Sequence, residues 1–203
     1  MQLTSTNSSI GLIYALKKIF NRLNIKILYV MRKFSICIPL DGMLKKKTIN
    51  LISKLNKINK EEFKSIPHIN ILSGSYNNQD KLIRSFKKIL IKKKKPIICI
   101  GTGVFLGKKN VFYLRFETSN LIKNIRKKSI LSTKIKKDDI DYTASDKLWV
   151  PKCTLCMTKL KNNDFLRIMN KIKRELMPNS FTPKKILLMD VTSEEKILGY
   201  IKI

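Results

Sequence analysis

The only histidine among the 203 residues, His68, follows Pro67 directly within an apolar segment. Histidine can accept and release a proton near neutral pH, so it is the side chain most often used for acid–base chemistry. If the segment is a β-strand, Asn70 lies on the same face as His68, because side chains two residues apart share a face. A lone histidine after a proline is more often a packed or surface residue than a catalyst. This segment alone therefore indicates chemistry only weakly.

A second segment has the same layout, with Lys152 directly after Pro151 and Thr154 two residues further on. These two side chains also share one face if the segment is a strand. A lysine ammonium can hold a phosphate, and a threonine hydroxyl can donate a hydrogen bond to one. The alternative is that Lys152 is one more surface lysine among many.

Taken together, Pro67-His-Ile-Asn-Ile-Leu72 and Pro151-Lys-Cys-Thr-Leu155 resemble the two signature motifs of the 2H phosphoesterases. This superfamily contains bacterial 2'-5' RNA ligase-like proteins and cyclic phosphodiesterases, and its pattern at both sites is Pro-His-x-Thr/Ser-Leu. The resemblance runs from about Met31 to Ile203 and includes the opening apolar segment from Arg32 to Leu40. The resemblance depends on both motifs together, in this order and in corresponding halves of the chain.

The resemblance implies roles for four residues. In such a site a 2',3'-cyclic phosphate has one motif on either side, with one residue as general base on water and the other as general acid on the leaving ribose oxygen. The hydroxyls hold the non-bridging oxygens and stabilise the charge of the transition state. His68 and Lys152 are then the candidate catalytic residues. Asn70 and Thr154 are the candidate phosphate ligands.

This sequence departs from the superfamily pattern twice. Asn70 stands where the first hydroxyl is expected, and its amide can still donate a hydrogen bond to phosphate. Lys152 stands where the second histidine is expected, which is the more serious change. A lysine acts as a general acid near neutral pH only if burial or neighbouring positive charge lowers its pKa.

The composition favours a nucleic-acid partner. With 43 Lys and Arg against 14 Asp and Glu, the chain has a formal charge of +29, which a polyanion would neutralise. An AT-rich genome also inflates Lys, Ile and Asn, but codon bias alone does not deplete Asp and Glu to this extent. The hydrophobic fraction of 43% excludes a disordered tail. The candidate RNA-binding residues are Lys45, Lys46, Lys47, Lys93, Lys94, Arg126 and Lys127.

Hydrophobic periodicity predicts alternating strands and helices from residue 31 onwards. The predicted strands are 33–39, 66–72, 96–105, 110–116, 148–157, 184–191 and 196–202, and the predicted helices are 42–58, 79–93, 119–129 and 163–176, with a polar loop at 131–147. The last third repeats the earlier order, which suggests an internal duplication. We expect a bilobal α+β domain, in which two antiparallel sheets form a central groove and the helices pack outside. His68 and Lys152 are expected to face one another from inner strands.

Residues 1–30 contain no Asp or Glu and have helical apolar spacing, which is typical of an organelle transit peptide. Two alternatives remain open: Met31 is the true start, or the segment is a basic amphipathic helix on a membrane surface or an RNA. The segment is too charged for a membrane span. We expect residues 31–203 to form the 2H phosphoesterase-like domain, in the cytoplasm or an organelle.

The four cysteines, Cys37, Cys99, Cys153 and Cys156, lie in apolar segments, so buried thiols in a reducing compartment are expected. Cys153 and Cys156 have half of a zinc-site spacing, but residues three apart on a strand point to opposite faces. Neither a second such pair nor a second histidine is present to complete a site. The sequence therefore predicts no metal and no cofactor.

Two functions remain in competition at this level, and a third, a peripheral membrane protein, rests only on the N-terminal helix. The first is a relative with impaired or lost catalysis that binds RNA ends or structured RNA, within a ribonucleoprotein or alone. The second is an active 2',3'-cyclic phosphodiesterase or 2'-5' RNA ligase in which Lys152 replaces the histidine acid. The two changed motif positions and the charge favour the first, and the retained layout of the motifs favours the second.

Overall fold

The computed structural model describes residues 31–59, 62–91, 94–134, 149–159, 162–173 and 179–203. The basic segment 1–30, Lys93 and most of the predicted loop at 131–147 lie outside these residues.

The described residues form eight strands and four helices. The strands are β1 (Arg32–Pro39), β2 (His68–Tyr76), β3 (Ile97–Phe105), β4 (Asn110–Phe116), β5 (Lys152–Thr158), β6 (Ser180–Phe181), β7 (Lys185–Asp190) and β8 (Lys196–Lys202). The helices are α1 (Gly42–Asn59), α2 (Gln79–Phe86), α3 (Asn120–Thr133) and α4 (Asn162–Lys173). The two-residue strand β6 was not expected from the sequence, because it is too short to show a period.

The strands form two antiparallel sheets of four, with the orders β2-β1-β7-β8 and β5-β4-β3-β6. The predicted α+β class with two antiparallel sheets is confirmed. In these orders β2 and β5 are edge strands, so the expectation that the two motifs lie on inner strands was wrong. The two edge strands lie against each other, which brings the two sheets together at the motifs.

The helices are set by local signals and by buried faces. Asn78 caps α2 by accepting a hydrogen bond from the Lys81 N–H at 2.8 Å, and Ser119 caps α3 in the same way. Helix α2 ends at Phe86, earlier than the predicted 79–93. The chain turns at residues 87–88 and buries Ile89 outside the helix.

The core lies between the sheets and the helices. Its largest fully buried side chains include Phe34, Phe86, Phe112 and Phe116. Burying a side chain of this kind stabilises a fold by about 1.5–3 kcal/mol relative to leaving it exposed. Among the helices that the structure describes, none is long and apolar enough to cross a lipid bilayer.

Candidate functional site

Strand β2 presents the first motif through its alternating pattern. His68 and Asn70 are half-buried, whereas Ile69 and Ile71 are fully buried in the core. In the pairing with β1, Asn70 lies opposite Cys37 and Leu72 lies opposite Ile36, which leaves Ile71 as the extra residue of a β-bulge. The bulge shifts the alternation by one residue, so Ser73 lines the same cavity as His68 and Asn70.

Strand β5 repeats this geometry at the second motif. Lys152 and Thr154 are half-buried, Cys153 is buried between them, and Leu155 is the extra residue of a bulge against β4. After the bulge the alternation shifts, and Met157 lines the cavity. The bulge also buries both Cys153 and Cys156 in one core, so the predicted opposite orientation of these thiols was wrong.

The prolines of the two motifs also match. The Pro67 carbonyl accepts a hydrogen bond from the Leu40 N–H at 2.8 Å, and the Pro151 carbonyl accepts one from the Phe116 N–H at 2.9 Å. Each motif therefore has a proline carbonyl bonded to the neighbouring strand and a bulge one residue past the Asn or Thr position. This equivalence supports the internal duplication suggested by the sequence.

A cavity of about 210 Å³ lies between the two strands. His68 and Asn70 line it from β2, and Thr154 lines it from β5. Lys152 does not line the cavity, but its Nζ lies 3.4 Å from the Oγ1 of Thr154, which does. The structure thus brings the four predicted catalytic and phosphate-binding residues into one region.

Two aromatic rings flank the amine of Lys152. The Nζ atom lies 5.8 Å from the ring centre of Phe105 and 6.0 Å from that of Tyr113, and the two rings are 4.7 Å apart. The Tyr113 ring lies across Gly103, where a Cβ atom would come within 2.5 Å of the tyrosine Cζ. Glycine at this position therefore allows the ring to lie flat against β3 beside the cavity.

The imidazole of His68 is held in one orientation. Its Nδ1 lies 2.6 Å from the Ile66 carbonyl oxygen, and because a carbonyl can only accept, Nδ1 carries the proton in the neutral ring. This leaves Nε2 as the nitrogen with a free lone pair. Burial lowers the pKa of His68 below its ordinary value, and the positive charge of Lys152 acts in the same direction. The negative charge of Glu195 and the bond to Ile66 oppose this lowering.

The polar groups of the cavity retain unused hydrogen-bonding capacity. The Asn70 Nδ2 donates to the Ser73 Oγ at 2.6 Å, whereas the buried Asn70 Oδ1 and Ser35 Oγ have no hydrogen-bond partner among the described residues. Rotation of the Asn70 amide by half a turn would let Ser73 donate to the oxygen and would leave the amide N–H groups available to an acceptor. That orientation is the one that a phosphate oxygen requires.

Glu195 is the main site residue that the sequence did not reveal. It lies in the turn between β7 and β8, lines the cavity, and accepts hydrogen bonds from the Ser65 Oγ at 2.6 Å and the Ile66 N–H at 2.9 Å. It is far from His68 along the chain, and neither motif includes it. The one property of the sequence that could have drawn attention to Glu195 is that acidic residues are scarce, with 14 Asp and Glu against 43 Lys and Arg.

Most of the candidate RNA-binding lysines are exposed. Lys45, Lys46 and Lys47 lie on the solvent side of α1, and Lys94 and Lys127 are also exposed. Lys45 also borders a larger cleft of about 920 Å³ that adjoins the cavity.

Arg126 differs from these lysines because it is buried. Its guanidinium lies 4.6 Å from the ring centre of Trp149 and donates a hydrogen bond to the Ile71 carbonyl. RNA contact by Arg126 stays a prediction, and the burial of its guanidinium does not favour it.

Several solved structures resemble this chain along most of its length. E. coli LigT complexed with 3'-AMP is 10% identical, with a TM-score of 0.55 over 85% of this chain and 98% of LigT. The protein TT0787 of Thermus thermophilus is 13% identical, with a TM-score of 0.58 over 85% of this chain and 97% of that protein. A further phosphoesterase is 8% identical, with a TM-score of 0.58 over 85% of this chain and 98% of its own.

No protein-family model and no curated protein matches the sequence. Identities this low show the fold alone. The chain has the fold of LigT, TT0787 and this phosphoesterase, and the fold that the resemblance of the two motifs implied is confirmed.

Proposed function

We propose that this chain is an RNA-binding 2H phosphoesterase-like protein in which catalysis is impaired or lost. The observation that carries the proposal is the position of Lys152, which occupies on β5 the place that His68 occupies on β2. A cation at this position can bind a phosphate, but a lysine lacks the imidazole that lets His68 both accept and release a proton near neutral pH. The site is therefore better suited to holding a phosphodiester than to cleaving one.

The charge of the chain and the groups in the cavity support RNA as the ligand. A formal charge of +29 favours binding to a phosphate backbone through counterion release. In the cavity, Thr154 supplies a hydroxyl, and Asn70 supplies an amide that can turn toward a phosphate oxygen. LigT, which shares the fold, has been crystallised with 3'-AMP and with phosphate, and both ligands carry the group that these residues would hold.

The alternative is an active 2',3'-cyclic phosphodiesterase or 2'-5' RNA ligase. One observation favours it: the Nδ1 hydrogen bond of His68 leaves Nε2 unprotonated, and burial keeps the ring neutral, as a general base requires. In that case Lys152 would have to donate the proton to the leaving oxygen.

The two functions are separated by measuring binding and turnover on the same protein. We expect the full chain to bind single-stranded RNA and to hydrolyse a 2',3'-cyclic nucleotide little or not at all. Replacing Lys152 by Ala should weaken the binding of inorganic phosphate and RNA, because it removes the cation next to Thr154. The matched control is Lys159→Ala, which removes an exposed lysine just after β5.

Efficient turnover by the unmodified chain, lost in His68→Ala, would establish the alternative. Equal binding by the Lys152→Ala and Lys159→Ala proteins would contradict a role for the cavity in holding phosphate.

A further inference from the structure

We propose that Glu195 is the positioning residue of His68, acting through the main chain of Ile66 and by its charge. The inference deepens the proposed function, since it assigns the group that prepares His68 for a phosphate ligand. The inference rests on contacts within the protein, so it can be tested by a measurement on His68 that requires neither RNA binding nor enzymatic turnover.

The first step is the anchoring of residues 65 and 66. One carboxylate oxygen of Glu195 accepts the Ser65 hydroxyl at 2.6 Å, and the other accepts the Ile66 N–H at 2.9 Å. Hydrogen bonds to an ionised group are shorter and stronger than neutral ones. Glu195 therefore fixes the short segment that leads into β2.

The second step links this segment to the imidazole. The carbonyl of the same Ile66 accepts the His68 Nδ1–H at 2.6 Å. A carbonyl held in place selects one tautomer and one ring orientation, as the orienting carboxylate does for a catalytic or metal-bound histidine. The tautomer of His68 therefore depends on a residue that touches neither Nδ1 nor Nε2.

The third step is electrostatic. Among the described residues, the charged and titratable groups next to His68 are Glu195 from the turn before β8 and Lys152 and Cys153 from β5, and Cys37 from β1 lies near Glu195 and Cys153. Burial raises the pKa of Cys37 well above its ordinary value and that of Cys153 to about 12, so both thiols are neutral. Of the described groups, Lys152 then favours the neutral ring of His68, and Glu195 favours the protonated ring.

A purely structural role for Glu195 would be to tie the segment before β2 to the β7–β8 turn. Such a role predicts a loss of stability on substitution, but no change in the protonation of a correctly folded His68. The proton on the imidazole is therefore the readout that separates the two roles.

Because His68 is the only histidine, its imidazole signals in an NMR spectrum of the full chain are unambiguous. We would measure its pKa from the Hε1 shift and its tautomer from the two ring ¹⁵N shifts. In Glu195→Gln the amide oxygen can still accept the Ile66 N–H, and the NH₂ can donate to Ser65. We expect the pKa of His68 to fall, because the opposing negative charge is gone, while Nδ1 remains the protonated nitrogen.

The matched control is Glu194→Gln, which removes the same charge from the adjacent, exposed residue and should leave the pKa of His68 unchanged. Glu195→Ala removes both the charge and the anchor. It should lower the pKa of His68 and also give a mixture of tautomers. If Glu195→Ala does not fold, Glu195→Gln alone decides the question, with thermal unfolding as the check on its fold.

The proposal is overturned if His68 titrates identically in Glu195→Gln, Glu194→Gln and the parent protein, or if the neutral ring carries its proton on Nε2. A protein that binds no RNA but shows the expected titration would remove the proposed function and leave this inference standing.

Discussion

His68 and Lys152 occupy equivalent positions on two strands with the same bulge, and an imidazole is the side chain that ordinarily accepts and releases a proton near neutral pH. Replacing Lys152 by His restores a side chain that can act as the acid. If the groove otherwise retains a working site, cyclic phosphodiesterase activity should rise by up to the roughly 10²–10⁴-fold that a positioned acid contributes. Steady-state hydrolysis of a 2',3'-cyclic nucleotide measures this gain.

The control is the double variant His68→Ala/Lys152→His, which should lose the gained activity. Unchanged activity in Lys152→His with normal RNA binding would mean that Asn70 or the groove itself no longer supports catalysis. A parent protein that turns over well and is slowed by Lys152→His would identify Lys152 as a genuine acid, and the proposed loss of catalysis would be wrong.

The protonation of His68 also affects stability. Burial lowers its pKa in the folded protein, so below the unfolded value of about 6.5 the unfolded chain binds more protons than the folded one. The stability that depends on a neutral His68 is fully present above that pH and is lost as the pH falls through the folded-state pKa. We expect the free energy of unfolding of the parent, relative to His68→Gln, to decrease over this range in urea titrations. A difference that stays constant with pH would contradict the burial of the ring.

At the level of elements, the bulge at Ile71 requires its own support. The Asn70 carbonyl accepts the Trp149 Nε1–H at 3.1 Å, and the Ile71 carbonyl accepts the Arg126 guanidinium. The guanidinium also stacks on the Trp149 ring. Arg126 and Trp149 therefore tie β2 to α3 and to the segment that leads into β5, which helps to set the separation of the two motifs.

Substituting Arg126 by Met should therefore destabilise the fold. A hydrogen bond to a charged group contributes about 1.5–3 kcal/mol, and the methionine leaves the buried Ile71 carbonyl without this donor. Denaturant unfolding measures the loss, and Lys127→Met, at the exposed neighbouring position, is the control with a small expected effect. Equal stability of the two variants would mean that the bulge needs no support from α3.

The alternation of apolar residues was enough to predict most of the strands and the layout of both motifs. It could not predict the bulges at Ile71 and Leu155, because a bulge depends on the pairing with another strand. The assumption of unbroken alternation is the reason why Cys153 and Cys156 were placed on opposite faces. The order of strands in the sheets depends on contacts between distant segments, and so does the approach of Glu195 to Ile66.

At the level of the whole molecule, the acidic residues are unevenly placed around the groove. The cleft of about 920 Å³ next to the cavity is bordered by Glu62, Glu194 and Glu195, although the chain has only 14 acidic residues. Two lysines, Lys45 and Lys64, border it as well, and Lys64 pairs with Glu62 at 2.9 Å. Three carboxylates against two ammonium groups make this cleft less favourable to an RNA backbone than the rest of a very basic chain. The Lys152 amine lies beside the ring of Phe105, the last residue of β3, and the turn that follows Phe105 exposes Lys108 and Lys109.

This asymmetry predicts the path of a bound RNA strand. If the backbone runs from the cavity over the turn at Lys108 and Lys109, RNA affinity should fall steeply with salt, because each lysine bound to a phosphate replaces counterions. The double variant Lys108→Ala/Lys109→Ala should reduce the slope of log affinity against log salt by roughly 0.7 for each lost contact to a single strand.

The control is Lys87→Ala/Lys88→Ala, which removes two adjacent exposed lysines in the turn after α2 and therefore the same amount of charge. A path through the groove requires the first pair to lower both the affinity and the slope, and the second pair to change them little. Equal effects of the two pairs would mean that RNA is held by diffuse charge over the whole surface, and binding that does not depend on salt would remove RNA as the partner.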